Sequence, residues 1–494
     1  MRQSKHLRTR YRTILSYTGL VLLLCSALML LPLLALLAWP EESRHVWGFI
    51  IPALTLGGLG VGLWRLFRPD RDIALTVQEG GAIVLLTWTT VCLFSAWPFS
   101  AVEGLGFTQS VFESVSGWTT TGLSVVDVQH ASRMILLWRS IMQLAGGAGL
   151  AIIMLSAIAG PTGPGLSSAE GRQQLVPHVR HSARLVMVIY SGYVIVGILA
   201  YALAGMGWFD AINHAFAAVS TGGFSTKVDS IGHWNSPTIE AVTMPLMFLG
   251  NLNFVTAWLL LRGKFRSAGR NGEIRLFALL VPVCALALFL FTCAGLYPSI
   301  GHRTRVALFQ TMTALTTTGY STVSFANWNG FGWLLLIGLM IIGGGTCSTA
   351  GGIKQYRVYI LWKSLVWHLR SFLLPRTAVA EHPVYQGERK VFIQDSHIRR
   401  IGTFLFLYLL GLVLGTAVIA AHGYDLRDSL FEYASALGTV GLSVGVTSVS
   451  APPAILWAET AGMFLGRLEF IVILVSIAKL FRDGVAMFTP RNAA

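Results

Sequence analysis

The chain has 494 residues, 54% of them hydrophobic and 12% charged, with a mean hydropathy of +0.64. Soluble domains average roughly a quarter charged residues, so a water-soluble globular fold is excluded. The net charge of +14 would by itself suit a nucleic-acid partner, but the charges fall in loops in a way that removes that reading.

The first apolar run, 14–38, carries no charge and exceeds the ~20 residues a helix needs to cross a bilayer. It follows a basic start (Arg2, Lys5, Arg8, Arg10, Arg12), as a secretory signal would. Yet it is longer than the roughly 7–15 residues of a signal's apolar core, and more apolar spans follow, so it reads as a retained first helix. Further spans are expected at about 46–66, 80–98, 133–160, 184–206, 236–261, 274–297, 331–360 (interrupted), 399–421 and 453–480. With the amino terminus inside, the inner loops collect 28 of the 36 Lys and Arg residues, while the outer segments hold twelve acids against seven bases. This positive-inside distribution places both termini in the cytoplasm and accounts for the basicity without nucleic acid. Arg467 and Glu469 lie within the last span and cancel. The five cysteines, Cys25, Cys92, Cys284, Cys293 and Cys347, show no CxxC spacing and read as buried small hydrophobes. The histidines are scattered, with no metal-ligand or nucleophile–base spacing, and neither an organic cofactor nor an enzyme is expected.

After spans three, five, seven and nine comes a segment too short to cross: FTQSVFESVSGWTTTGLSVV, DAINHAFAAVSTGGFSTKV, RTRVALFQTMTALTTTGYSTV and LRDSLFEYASALGTVGLSVGV. With Gly122, Gly223, Gly319 and Gly441 in register, Thr120, Thr221, Thr317 and Thr439 stand two positions earlier. Ser124, Ser225, Ser321 and Ser443 stand two later. Nine before each glycine is a polar residue (Glu113, His214, Gln310, Glu432), and six before is a small one (Ser116, Ala217, Thr313, Ser435). Packing glycines alone would not carry Thr and Ser at fixed offsets, so these are four copies of one unit. The chain therefore divides into an N-terminal two-helix extension (1–72), repeat 1 (73–170), repeat 2 (171–266), repeat 3 (267–375), a cytoplasmic linker (376–398) and repeat 4 (399–494).

Non-helical backbone at membrane depth is tolerated only inside protein or along a water-filled path. Each segment is expected to enter as a short pore helix, whose carbonyl end favours a cation. It would return as extended chain, whose carbonyls replace the ion's water. That replacement is needed because moving a bare ion into low dielectric costs on the order of 20 kcal/mol. Glycine suits the turn because it accepts positive φ and leaves no side chain in the path.

At these motifs the chain resembles the Trk/Ktr/HKT superfamily of potassium transporters, in its TrkH/TrkG branch, from about residue 82 to 481. The two spans before the first repeat suggest that branch. The resemblance implies an all-α membrane protein with four helix–pore-loop–helix repeats around one pseudo-fourfold pore. It implies K+ as the transported ion, coordinated around Thr120, Thr121 and Gly122, Thr221, Gly222 and Gly223, Thr317, Thr318 and Gly319, and Thr439, Val440 and Gly441. In plant relatives, serine in place of the first filter glycine goes with sodium; Gly122 favours potassium. The run GGGTCSTAGG, with Gly343, Gly344, Gly345, Gly351 and Gly352, followed by Lys354, resembles the family's gating loop, and Arg467 its electrostatic barrier. From the residues alone, a packing kink and a structural ion pair are the alternatives. Glu469, two residues beyond Arg467, would point elsewhere on a continuous helix.

The resemblance further implies a homodimer embedded in membrane lipid, a bacterial inner-membrane location and a cytosolic nucleotide-binding regulatory subunit (TrkA-like) docking on 354–400. That stretch could equally be a solvated amphipathic surface. A sodium or mixed-ion transporter of the same fold is the competing function. A membrane-depth enzyme would need catalytic Asp, His or Ser inside the spans.

Overall fold

The computed structural model describes residues 2–68, 75–149, 179–373, 383–386 and 389–488. Apart from one antiparallel hairpin, Pro383–Gln386 against Arg389–Phe392, the regular structure is helical. Among the described residues six helices are long and apolar enough to cross a membrane: Leu7–Leu37, Trp47–Leu66, Gln78–Glu103, Leu185–Leu203, Gly272–Gly295 and Asp395–Ala421. Their outer faces expose Leu37, Leu54, Leu203, Phe291 and Leu410. That is unremarkable where the surrounding medium is itself hydrocarbon.

The first helix, Arg2–Met29, tightens into a 3-10 turn over Leu31–Leu37, where Pro32 withholds a backbone donor. It packs on Trp47–Leu66 through paired glycines. A Cβ at Gly19 would lie 2.6 Å from the Gly60 carbonyl oxygen, and one at Gly60 would lie 2.8 Å from that of Gly19. The third, Val77–Ser95, begins with a capping box: Glu79 N donates to Thr76 Oγ1 (3.3 Å) and Thr76 N to Glu79 Oε2 (2.8 Å).

Each repeat then sends a short helix back inward: Phe107–Trp118, Trp208–Val219, Ile300–Leu315 and Leu426–Leu437. At 12 to 16 residues these cannot cross, and their C-terminal turns are wholly buried. Second helices follow at Arg133–Ala148, Pro237–Asn251, Gly330–Ile342 and Pro453–Leu468.

Two expected spans differ, and another is described only in part. The described part of the fourth ends at Ala148, capped by Gly149 in the left-handed region; the rest of 133–160 lies outside the described residues. The sixth is not one helix. Pro237–Asn251 and Phe254–Leu261 meet at 117° across extended Leu252, with Asn253 capping the second piece. The tenth is also broken. Pro453–Leu468 and the helix from Phe470 meet at 99°, because Glu469 sits at φ +63 and ends the helix. The interruption of the eighth falls where the glycine run stands. Gly330–Ile342 stops at Gly343 and the chain becomes helical again at Gln355–Ser371. Part of the 376–398 linker lies outside the described residues; the rest holds the hairpin and the start of Asp395–Ala421.

Candidate functional site: four re-entrant turns and the loop beneath them

The four turns share one backbone geometry. Thr120, Thr221, Thr317 and Thr439 all lie in the left-handed region, at φ 56, 51, 54 and 49, and Gly122, Gly223, Gly319 and Gly441 follow at 98, 75, 80 and 95. Non-glycine residues rarely adopt that region, so four threonines doing so at one register is a built feature. The residue between each pair donates its N–H to the carbonyl five residues back: Thr121 to Ser116 (2.9 Å), Gly222 to Ala217 (2.8 Å), Thr318 to Thr313 (3.0 Å) and Val440 to Ser435 (2.8 Å). The pore helices thus end in the same wound-down turn.

The turns close into a ring. A Cβ added at Gly122 would overlap the Gly222 carbonyl oxygen; at Gly223, that of Thr318; at Gly319, that of Val440; at Gly441, that of Thr121. Each strand abuts the next, and the fourth returns to the first. All four glycines line one open vestibule of about 430 Å³, with Ser124, Ser225, Ser321 and Ser443 beside them and Asp127 and Lys227 at its wall. Asp127 is exposed, and His130 Nδ1, 2.7 Å from its Oδ2, holds its carboxyl below the usual range.

Directly beneath runs the 343–354 loop. Thr349 Oγ1 lies 3.0 Å from Thr221 Oγ1, and Gly351 N donates to Thr317 Oγ1 (2.7 Å). A Cβ on Gly351 would overlap Thr439 Oγ1 and the Gly438 carbonyl oxygen. The loop therefore touches three of the four ring threonines. Arg467 spans the remaining side, donating to Thr349 O (2.5 Å), Gly146 O (2.5 Å) and Gly147 O (3.2 Å). Lys354 Nζ donates to Ala350 O inside the loop. Gly343 and Gly352, at φ 69 and 75, pack against each other, and Gly344 N donates to Gly351 O (3.1 Å). Glu469 turns away to pair with Arg357 at 2.7 Å. The outer edge of the loop is tied down by Asn251 Oδ1, which accepts from Gly345 N (2.9 Å), and by Glu273 Oε1, which accepts from Thr346 N (2.7 Å) and Oγ1 (2.6 Å).

A family model described as TrkH, cation transport protein, matches residues 59–486. The chain belongs to the TrkH family. It is 31% identical to the Trk system potassium uptake protein TrkH of Escherichia coli, over 95% of this chain and 99% of that one. It is 29% identical to an uncharacterized cation transporter of Methanocaldococcus jannaschii, over 88% of each. The crystal structure of the potassium transporter TrkH from Vibrio parahaemolyticus superposes with a TM-score of 0.82 at 28% identity, covering 97% of this chain and 99% of that one. The chain is accordingly a multi-pass membrane transport protein and not an enzyme.

Other charged side chains buried in this TrkH-family chain were not singled out from the sequence, where Arg467 and Glu469 were the pair remarked on. The re-entrant helices carry Glu113 and Glu432 down into the protein, and the second helices of repeats 1 and 4 bring Arg139 and Glu459 beside them, so all four are buried. The residue nine before each glycine braces the strand after it. Glu113 accepts from Ser124 Oγ (3.0 Å) and Val125 N (2.9 Å), and Glu432 from Ser443 Oγ (2.7 Å) and Val444 N (2.9 Å). His214 Nε2 lies 2.9 Å from Ser225 Oγ, while Gln310 reaches past Ser321 to Thr322 Oγ1 (3.2 Å). Arg139 pairs with Glu113 at 2.7 Å, donates to Ser124 Oγ and Ser225 O, and lies 3.9 Å from the Phe224 ring centroid, joining repeats 1 and 2. Gln143 Nε2 donates to Gly222 O at 2.5 Å, so the second repeat departs from its siblings.

Proposed function

We propose that this protein carries potassium ions inward across the bacterial inner membrane, with the four turns as its selectivity filter. The observation that carries the reading is the closed ring, in which each glycine abuts the neighbouring repeat's carbonyl and all four open on one vestibule. Carbonyl oxygens at Thr121, Gly222, Thr318 and Val440, with the threonine hydroxyls below, offer the neutral oxygen ligands that substitute for an alkali ion's hydration shell. That relatives of this chain are potassium uptake proteins supports potassium rather than sodium as its ion, and glycine at position 122 supports the same choice.

The 343–354 loop closes the inner end of this path as a gate, and Arg467 holds it while repelling cations waiting below. A guanidinium at membrane depth costs about 2.5–3.5 kcal/mol or more, and here both terminal nitrogens donate to backbone carbonyls of the loop and of repeat 1. Both termini lie in the cytoplasm by the distribution of basic residues. The relatives' designation as members of a Trk system supports a partner, a TrkA-like cytosolic nucleotide-binding subunit acting on the helix and hairpin after Lys354; the assembly is a homodimer with one pore per protomer.

Potassium uptake by transport-deficient cells tests this reading. Gly122→Ser places a side chain against the Gly222 carbonyl at φ 98, and selectivity should relax toward sodium. Arg467→Ala frees Thr349 and should raise flux. Unaltered selectivity and flux in both variants would overturn the assignment.

A further inference from the structure

The braces behind the four turns are not electrically alike. Glu113 faces a guanidinium, Gln310 is uncharged, and His214 sits between the Asp210 carbonyl (2.8 Å) and Ser225 Oγ. Glu432 has no such balance. It is fully buried and accepts from Ser443 Oγ, Val444 N, Thr447 N (3.1 Å) and Thr447 Oγ1 (2.5 Å). The same Thr447 hydroxyl lies 3.2 Å from both carboxyl oxygens of Glu459, which is also fully buried. Among the described residues Thr447 is the one hydrogen-bond partner of Glu459, and neither carboxyl has an ion pair.

A hydroxyl owns one proton and cannot donate to two carboxylates at once. Donating to the nearer acceptor, Glu432, it must accept from Glu459, and a carboxyl donates only when protonated. Two ionised carboxylates sharing one hydroxyl away from water would leave a buried charge unmatched. We infer that Glu459 is a positioning residue for the fourth turn: it stands as a neutral carboxylic acid, and its hydrogen bond through Thr447 Oγ1 fixes Glu432 as the carboxylate bracing the strand after Gly441. Removing that proton sets two like charges against each other and releases Thr447.

The titratable groups on the elements packed around the pair are few. The pore helix brings Tyr433, the span Asp395–Ala421 brings Tyr408, and the first pore helix brings Glu113, already paired with Arg139. The last helix carries Lys479, Arg482 and Asp483 toward its far end, where they pair with one another. None of these supplies a cation to Glu432 or Glu459.

The transport consequence rests on reading the turns as a filter; the protonation does not. Infrared difference spectra of the full-length protein in lipid should show the carbonyl stretch of a protonated carboxylic acid that disappears at alkaline pH and is missing in Glu459→Gln. Absence of that band, or a band untouched by the substitution, overturns the inference, as would both carboxylates being ionised around a bound metal cation. Over the same pH range, wild type should lose about tenfold in potassium-over-sodium discrimination, the scale of one hydrogen bond to a charged group. Glu459→Gln, whose amide still donates to Thr447, should stay flat. A normal band with flat discrimination in both proteins removes the positioning role. A normal band with unaltered selectivity in Gly122→Ser instead removes the filter reading.

Discussion

Arg139 shows how much one side chain can hold. It is buried, pairs with Glu113, bonds to both Ser124 and the Ser225 carbonyl, and so ties two quarters of the ring together. Arg139→Met leaves the Glu113 carboxylate buried without its ion-pair partner, and should cost about 3–5 kcal/mol of stability. Thermal unfolding in detergent measures that, and adding Glu113→Gln should restore most of the loss. Neither residue's task was readable in advance. Glu113 stood out as polar at a repeated position, but its partner lies 26 residues away, and only the folded chain brings the two into contact. The threonines and glycines were legible because their role is local. A turn that needs two left-handed residues in sequence leaves the same spacing wherever it recurs.

At the level of elements, the glycine run of repeat 3 announced its own interruption, since five glycines in ten residues cannot sustain a helix. The bends at Leu252 and Glu469 were invisible because neither position carries glycine or proline. What makes them is the loop they surround. Asn251 and Asn253 face Gly345 and Thr346 (2.9 and 3.4 Å), and Arg357, just past the loop, draws Glu469 out of the helical path. Three broken helices therefore interlock at one level beneath the ring. Glu273→Ala removes the two short hydrogen bonds from Thr346 to the Glu273 carboxylate, the loop's outer tether, leaving only the longer one from Asn253. Potassium flux should rise severalfold in that variant with selectivity unchanged, because the ring itself is not touched. Selectivity falling along with the rise would show that loop and ring are not separable.

For the whole molecule, composition and charge already gave a multi-span membrane protein, and the family match bears that out. Sidedness is checked with single cysteines. Asp127→Cys, exposed at the vestibule, should react with a membrane-impermeant maleimide in intact cells, while Arg266→Cys, on the connection proposed to face the cytoplasm, should react only after permeabilisation. The closed ring has one more consequence, and it is genetic. All four of its quarters are translated from a single message, so no pore can be assembled from mixed copies. On the proposed reading of the ring as the ion path, a damaged allele spoils only the paths it encodes, and a cell carrying intact and defective genes together should keep about half its potassium uptake, with no dominant poisoning of the healthy copy.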